Sequence, residues 1–451
     1  MQAIPDEFCK RILEQFPKDG SAFLASLNNT PVASIRLNKS KCGELFIGSE
    51  QVPWNREGRI LRERPRYTLD PTFHAGCYYP QESSSMALQW VLEHVIPANT
   101  PIDALDLCAA PGGKSLIISD FLSNRDGVEG RLISNEIIRS RAHILTEVLT
   151  KWGAHNVAVT NNKPADFAAC GMQFDLIVVD APCSGEGMFR KDPQAREEWS
   201  TESVNMCSRR QKDILTDILP ALKENGVLIY STCTFAVDEN ENQIAELVAT
   251  GEFESIRWPV PSNWNVDVID ESRVFAMRFL PHKVSGEGFF IAALRKTSSD
   301  SLRRNKPKSL FARPSRNEEM AILKCGIPAD EIVLAPNGEL YQSPFSDREL
   351  NSLASSLYFL SPGTHLGKIL HAELIPAHAM ALAPHIETNY STFELSREQA
   401  LTYLRGETIS TNASPGWQRV AYNGCVLGWI KVIGNRINNY YPKEWRVKLK
   451  E

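Results

Sequence analysis

Between residues 71 and 296, short apolar runs alternate with stretches of helical spacing, and this alternation constrains the chain more than any other feature. Candidate strands lie at 105–107, 132–134, 157–159, 176–179 and 227–230, and 203–223 suits the helix between the fourth and fifth. Strands separated by helices bury both their faces, so the expected core is a mostly parallel sheet with helices on each side, an α/β, Rossmann-like arrangement. Two further apolar runs, 274–280 and 288–294, have no helical stretch between them and read as an antiparallel hairpin closing the sheet.

Shifts in composition divide the remainder. Residues 1–70 read as a small α+β unit, with helical spacing at 8–13 and a strand-like 33–37. The unit ends in Arg56, Arg59, Arg62, Arg64 and Arg66 against only Glu57 and Glu63. Residues 71–296 form the α/β domain. Residues 297–385 read as a basic linker and bridging region; the stretch 295–316 carries Arg295, Lys296, Arg303, Arg304, Lys306, Lys308, Arg313 and Arg316 against Asp300 alone. Residues 386–451 read as a mostly β unit with strand-like 425–430 and 438–442, and between 419 and 450 seven Lys and Arg face one acid, Glu444. The whole chain holds 49 Lys and Arg against 54 Asp and Glu, a net −5, so an acidic total conceals these basic runs. One basic run is as often a solvated face as a binding surface. Three, with Trp417, Trp429, Tyr440, Tyr441 and Trp445 nearby, favour a partner with a phosphate backbone. No apolar run reaches 18 residues and no basic head precedes an apolar stretch near Met1, so neither a membrane span nor secretion is expected.

The first strand runs into Cys108-Ala109-Ala110-Pro111-Gly112-Gly113-Lys114-Ser115. Small residues and paired glycines opening a helix let a ligand approach backbone at a helix N-terminus. A phosphate-binding P-loop would need glycine five residues before Gly113, where Cys108 stands, and the dinucleotide pattern Gly-x-Gly-x-x-Gly is absent as well. Glu136 ends the second strand, where an acid grips ribose hydroxyls in Rossmann-like sites. Loop and acid together suit a nucleoside ligand without phosphates, such as S-adenosylmethionine; a nucleotide-phosphate site and a purely structural turn are the alternatives.

Ten cysteines include no Cys-x-x-Cys pair, which argues against a zinc ribbon or a thioredoxin-type site, and no histidine spacing suggests a metal; reduced thiols in a cytoplasmic protein are expected. Two cysteines stand apart. The fourth strand ends in Asp180-Ala181-Pro182-Cys183-Ser184-Gly185-Glu186, and the fifth in Ser231-Thr232-Cys233-Thr234. Ligands of open α/β sheets bind at the carboxyl ends of the strands, so both thiols fall on the active edge. A buried packing role is the bland reading for either alone. The chemical reading is that pyrimidine C5 is too weak a nucleophile to take a methyl group from a sulfonium. A thiolate adding at C6 makes C5 electron-rich, and an acid such as Asp180 near N3 stabilises the adduct. An exocyclic-amine methyltransferase would need no cysteine.

On these residues the chain resembles the Nol/Nop/Sun RNA cytosine-5 methyltransferases. The loop 108–115, the Asp180-Ala181-Pro182-Cys183-Ser184-Gly185 element, Tyr230-Ser231-Thr232-Cys233-Thr234 followed by Glu239-Asn240-Glu241, and Gly288-Phe289-Phe290-Ile291-Ala292 stand in family order, and 76–86 is similar to the family's lead-in. The C-terminal part, with Arg419-Val420-Ala421-Tyr422-Asn423-Gly424, resembles the bacterial RsmF-type branch, whose tail includes a PUA-like RNA-binding domain. The resemblance implies that Cys233 attacks C6, that Cys183 assists release of the adduct, and that Asp180 contacts the base. It implies S-adenosylmethionine bound by Cys108, Ala109, Ala110, Pro111, Gly112, Gly113, Lys114, Glu136 and Asp180. It also implies a polar residue after the third strand beside the adenine, here Asn162 or else Asp166. The implied substrate is a cytosine of ribosomal RNA, most plausibly of the small subunit, or of tRNA as the alternative; a monomer without metal is expected. A catalytically silent RNA-binding assembly factor and a small-molecule methyltransferase are the competing classes. The intact cysteines and glycine loop weigh against the first, and the basic C-terminal unit against the second.

Overall fold

The structure is a computed structural model; it describes residues 3–449 apart from 42, 44, 126, 301, 303–305, 330 and 411–413. Arg303, Arg304 and Lys450 of the basic runs, and one residue of the loop 123–130, therefore lie outside the described residues. The chain opens with helices Asp6–Gln15 and Gly20–Ser26 and an antiparallel sheet of β1 (Ala33–Leu37), β2 (Glu50–Gln51), β3 (Gly58–Leu61) and β4 (Tyr78–Pro80), in the order β2-β3-β1-β4.

The α/β alternation becomes five parallel strands: β5 (Asp103–Asp106), β6 (Arg131–Asn135), β7 (Val157–Thr160), β8 (Phe174–Asp180) and β9 (Leu222–Thr232). Their order is β7-β6-β5-β8-β9. The chain starts in the middle, moves outward to β7, then crosses back to β8, and this reversal beside β5 opens a crevice at the strands' carboxyl ends. Side chains alternate between two cores. On β8, Leu176 and Val178 face one and Ile177 and Val179 the other, as the two-residue period of a doubly covered strand requires. The expected hairpin is present as β12 (Val274–Phe279) and β13 (Phe289–Lys296), with β13 antiparallel to β9. It carries two more strands, β10 (Phe253–Ser255) on β13 and β11 (Asp267–Glu271) on β12.

Two boundaries differ from the sequence reading for clear reasons. The helix expected over 203–223 spans Thr201–Ile218, because Pro220 offers no backbone donor and the chain tightens into the turn Leu219–Ala221 before β9. Arg295 and Lys296, counted with the basic linker, belong to β13. Lys296 is buried and donates to the carbonyls of Leu219 and Leu222 and to Asp300, so its charge serves the sheet. Cys77 is disulfide-bonded, which departs from the expectation of wholly reduced thiols, whereas Cys108, Cys183 and Cys233 are free thiols.

The stretch after β13 has a sheet of its own, built from β14 (Ile332–Leu334), β15 (Leu340–Gln342), β17 (Thr364–Leu370) and β18 (Glu373–Pro376). Between β15 and β17 the chain sends β16 (Phe359–Ser361) back to pair antiparallel with β7, so the catalytic sheet's outer edge is finished by a later part of the chain. The last sheet joins β19 (Thr392–Glu394), β20 (Gly416–Tyr422), β21 (Cys425–Ile433) and β22 (Arg436–Asn439). Its core residues Leu401, Tyr403 and Leu427 pack with Ile35 and Tyr78 of the first sheet. Trp429 is fully buried with its indole on the Ala377 carbonyl, and Tyr441 is buried too. Of the five C-terminal aromatics these two build the core, Trp445 and Trp417 pack half-buried against it, and Tyr440 is exposed with its ring 4.4 Å from Trp417, over which Lys431 lies. No helix among the described residues is long and apolar enough to cross a membrane.

Candidate active site

The crevice between β5 and β8 collects the residues singled out by sequence. The glycine loop leaves β5 at Asp106 and turns into the helix Gly113–Ser123. Gly112 has φ +126°, a conformation L side chains avoid, and an added Cβ would lie 2.9 Å from Val148. The lead-in segment covers the loop from the other side, with Tyr79 and Gln81 against Gly113. At the end of β6 the nearly buried Glu136 accepts from Ile138 N at 2.9 Å and faces Arg141 at 3.4 Å, and Arg141 also donates to the Ala110 carbonyl at 2.8 Å. Acid and loop are thus linked by one guanidinium beside two exposed apolar residues, Ile137 and Ile138.

On the other side of the crevice Cys183 Sγ and Cys233 Sγ lie 3.3 Å apart, although fifty residues separate them in sequence. Adjacent parallel strands β8 and β9 end in register, Asp180 opposite Ser231, and their following turns face each other. The hydrogen bond to Cys233, burial, and the charges of Cys233 and Glu239 push the Cys183 thiol well up. Lys114 Nζ sits 2.8 Å from Asp180 Oδ2, and Ser231 donates to Asp180 Oδ1 at 2.8 Å. Burial disfavours the Lys114 ammonium, but Asp180, by charge and hydrogen bond, and the nearby Cys233 outweigh it and hold the group above its ordinary value. Cys108 differs from the pair: burial first, then the charges of Asp106, Asp180 and Glu136, drive its thiol up. A thiol in that setting is no nucleophile, which suits a place in the loop wall.

The third strand gives a different result. Asn162 follows β7, but its carboxamide exchanges hydrogen bonds with the Tyr358 backbone, accepting from N at 2.8 Å and donating to O at 3.2 Å. Asp166, the alternative, caps its own helix by accepting from Lys163 N. Both side chains are thus engaged within the protein, Asn162 because the strand that follows Tyr358 docks on this edge.

Several buried polar residues at the site escaped the sequence reading. Asp106 is fully buried; one oxygen accepts from Ser115 at 2.6 Å and the other, Oδ1, has no hydrogen-bond partner. Burial, opposed by the Ser115 hydrogen bond, pushes its carboxyl up to about 7. Asn135 ties three strand ends together, donating to the carbonyls of Leu107 and Asn162 and accepting from Asn162 N and Thr160. Glu186 and Glu239 are wholly buried beneath the two cysteine turns. In sequence, an acid at the last residue of an apolar strand was the available signal for Asp106; the others are defined by contacts distant in the chain.

Three family models match the chain in succession: the N-terminal domain of 16S rRNA methyltransferase RsmF over 4–83, 16S rRNA methyltransferase RsmB/F over 95–295, and the methyltransferase RsmF PUA domain over 390–447. Ribosomal RNA small subunit methyltransferase F of Aliivibrio fischeri strain MJ11 is 31% identical, with 98% of this chain and 97% of that protein covered. The chain belongs to the RsmF family of ribosomal RNA small-subunit methyltransferases. The family's counterpart in Enterobacter sp. strain 638 is 30% identical over 98% of this chain and 95% of its own. Among solved structures, NSun6 from Pyrococcus horikoshii with SFG shares the fold at TM-score 0.55 and 21% identity, covering 66% of this chain and all of that one. A methyltransferase homolog protein from the same organism does so at TM-score 0.55 and 24% identity, covering 65% and 95%.

The family is of the S-adenosylmethionine-dependent type, and the crevice fits that ligand. A ligand carrying an ammonium and a sulfonium would find there Asp106, with an unpartnered buried oxygen, and two further strand-end acids, Glu136 and Asp180. The glycine loop leaves room for it to lie against backbone.

Proposed function

We propose that the chain methylates C5 of a cytosine in small-subunit ribosomal RNA, in the cytoplasm, through a covalent bond between Cys233 and C6. The observation that carries this reading is the sulfur pair, 3.3 Å apart beside the Lys114–Asp180 ion pair at the mouth of the methyl-donor crevice. A methyltransferase acting on an amine or hydroxyl has no use for two apposed thiols.

Cys233 as thiolate adds to C6, and the ring electrons move toward C5 and N3. Asp180, oriented by Lys114 and Ser231, meets the base at N3 as the neutral acid and donates the hydrogen bond that the negative charge developing there requires. S-adenosylmethionine, when bound, supplies an electrophilic methyl group, which C5 takes. Loss of the C5 proton to a base restores the C5–C6 double bond and expels Cys233 as thiolate. Cys183, keeping its proton and aimed at Cys233, stabilises the departing sulfur by hydrogen bonding. The base must leave its helix to present C6, and the Arg-rich end of the N-terminal unit and the basic C-terminal sheet with exposed Tyr440 supply contacts to the RNA backbone.

Transfer of labelled methyl groups to unmodified small-subunit RNA tests this. Cys233→Ala is expected to abolish transfer, and Cys183→Ala to leave a protein–RNA adduct that survives a denaturing gel. Wild-type activity in Cys233→Ala would overturn the covalent mechanism. Bisulfite mapping of cellular ribosomal RNA with and without the gene identifies the cytosine.

A further inference from the structure

The two cysteine turns are joined by a reciprocal pair of carboxylates. Glu186, three residues after Cys183, reaches the opposite turn: Oε2 accepts from Phe235 N at 3.0 Å, while Oε1 accepts from Trp199 Nε1 at 2.8 Å and from Arg11 at 2.6 Å. Glu239, six residues after Cys233, reaches back. Its Oε2 accepts from Ser184 N at 2.9 Å and Gln211 at 2.9 Å, and its Oε1 from Ser184 Oγ at 2.5 Å and Thr234 Oγ1 at 3.3 Å. Both side chains are 0% exposed. Between them the turns approach so closely that Gly187 N donates to the Cys233 carbonyl at 2.7 Å.

Burying a carboxylate is unfavourable unless each oxygen is bonded, and apolar side chains of similar volume would hold two turns together at least as firmly. What a carboxylate adds is direction, since each oxygen fixes named N–H and O–H groups. Here those groups belong to the residues next to the reactive sulfurs: Ser184 follows Cys183, and Phe235 lies two residues after Cys233.

The geometry points to Glu186 and Glu239 as positioning residues with separate tasks: Glu239 sets Cys183 for release of the adduct, and Glu186 sets Cys233 for attack. This rests on the covalent reading above and adds two residues to it. Arg11 brings the N-terminal helix Asp6–Gln15 into the same arrangement, so the N-terminal unit helps to position the attacking sulfur.

The test uses the full chain with an unmodified small-subunit RNA transcript and labelled S-adenosylmethionine. Glu239→Gln and Glu186→Gln keep volume but offer a donor where the turns need an acceptor. Glu239→Gln is expected to lower kcat by ~10- to 100-fold, the range that sub-ångström to ångström misplacement produces, with KM values within about twofold and with covalent adduct accumulating on a denaturing gel. Glu186→Gln is expected to lower kcat comparably without adduct. In the Cys183→Ala background, Glu186→Gln should slow adduct formation by the same factor, whereas Glu239→Gln, which touches the Cys233 turn through the long 3.3 Å bond from Thr234 Oγ1, should slow it far less, since the group it chiefly positions is gone. If a Gln variant does not fold, Ser184→Ala and Trp199→Phe, each removing one donor to the same carboxylate, are measured in its place. Equal effects of both substitutions on formation and release would overturn the assignment while leaving the covalent mechanism standing. Absence of adduct in Cys183→Ala itself would overturn both.

Discussion

Replacing Asp106 by Asn should make the free protein more stable and a worse methyltransferase, and the two effects should follow pH in a defined way. Asp106 is 0% exposed, keeps one oxygen without a partner, and has its carboxyl pushed from 3.8 up to about 7 by burial. A rise of that size corresponds to about 4 kcal/mol at ~1.36 kcal/mol per pH unit, an order-of-magnitude figure for the penalty of ionising this group in the folded chain. The folded state holds the proton more tightly than the unfolded one. The favourable contribution of the neutral acid is therefore fully present below pH ~4 and is lost as pH rises through about 7. Asn accepts the Ser115 hydrogen bond but does not ionise. Thermal melts of wild type and Asp106→Asn without ligand should nearly coincide at pH 4.5 and separate as pH rises. At roughly 2–4 °C per kcal/mol for a domain of this size, the variant should melt on the order of 10 °C higher at pH 8. Calorimetric titration with S-adenosylmethionine should show the reverse. Wild type binds more tightly as pH rises through 7 and the carboxylate becomes available to a cation; the variant binds at least ~10-fold more weakly at pH 8, with little pH dependence. A stability difference that does not change with pH, or undiminished affinity in Asp106→Asn, would refute the reasoning.

Further outcomes follow from other contacts. Gly187→Ala places a Cβ 2.4 Å from the Cys233 carbonyl and 3.0 Å from that of Gly288, so a loss of ~1–3 kcal/mol in chemical unfolding and a severe loss of methyl transfer are expected. Lys41 is half-buried with its ammonium on the carbonyls of Ala75 and Lys151, and desolvation of that ammonium pulls it from 10.5 to about 7. Between those values the unfolded chain binds more protons than the folded one, so melting temperature should rise from pH 7 to 10, and Lys41→Met should abolish that rise. Asn162→Leu removes both side-chain hydrogen bonds to the Tyr358 backbone, at ~0.5–1.5 kcal/mol each. It should weaken S-adenosylmethionine binding in titration while leaving the rate at saturating ligand close to wild type.

What could be read without coordinates was what depends on local order along the chain. The period of the strands, the small residues of 108–113, and thiols and acids placed directly after apolar runs all carry their meaning within a few neighbours. From them the parallel sheet, its closing hairpin and the methyl-donor crevice could be expected. The misreadings share one cause. Lys296 looks like a solvated cation until β9 and the turn before it are known to offer it one carbonyl each, and Trp429 looks like an RNA contact until the Ala377 carbonyl is found on its indole. Nothing near Asn162 in sequence foretells that Tyr358, far along the chain, bonds its carboxamide. Glu186 and Glu239 stand inside the recognised elements, but nothing local records that each side chain ends inside the opposite turn.

The pairing of β16 with β7 also governs when the enzyme comes into being. During synthesis every strand from β5 to β13 emerges before Phe359–Ser361, and throughout that interval β7 presents an open row of backbone donors and acceptors, the kind of edge that recruits stray strands. The loop beside the cofactor's crevice acquires its Tyr358 anchor only when that edge is covered. A chain interrupted after β13 would therefore lack both the guard on its sheet and the Tyr358 anchor, so this edge closes only once synthesis has passed Ser361.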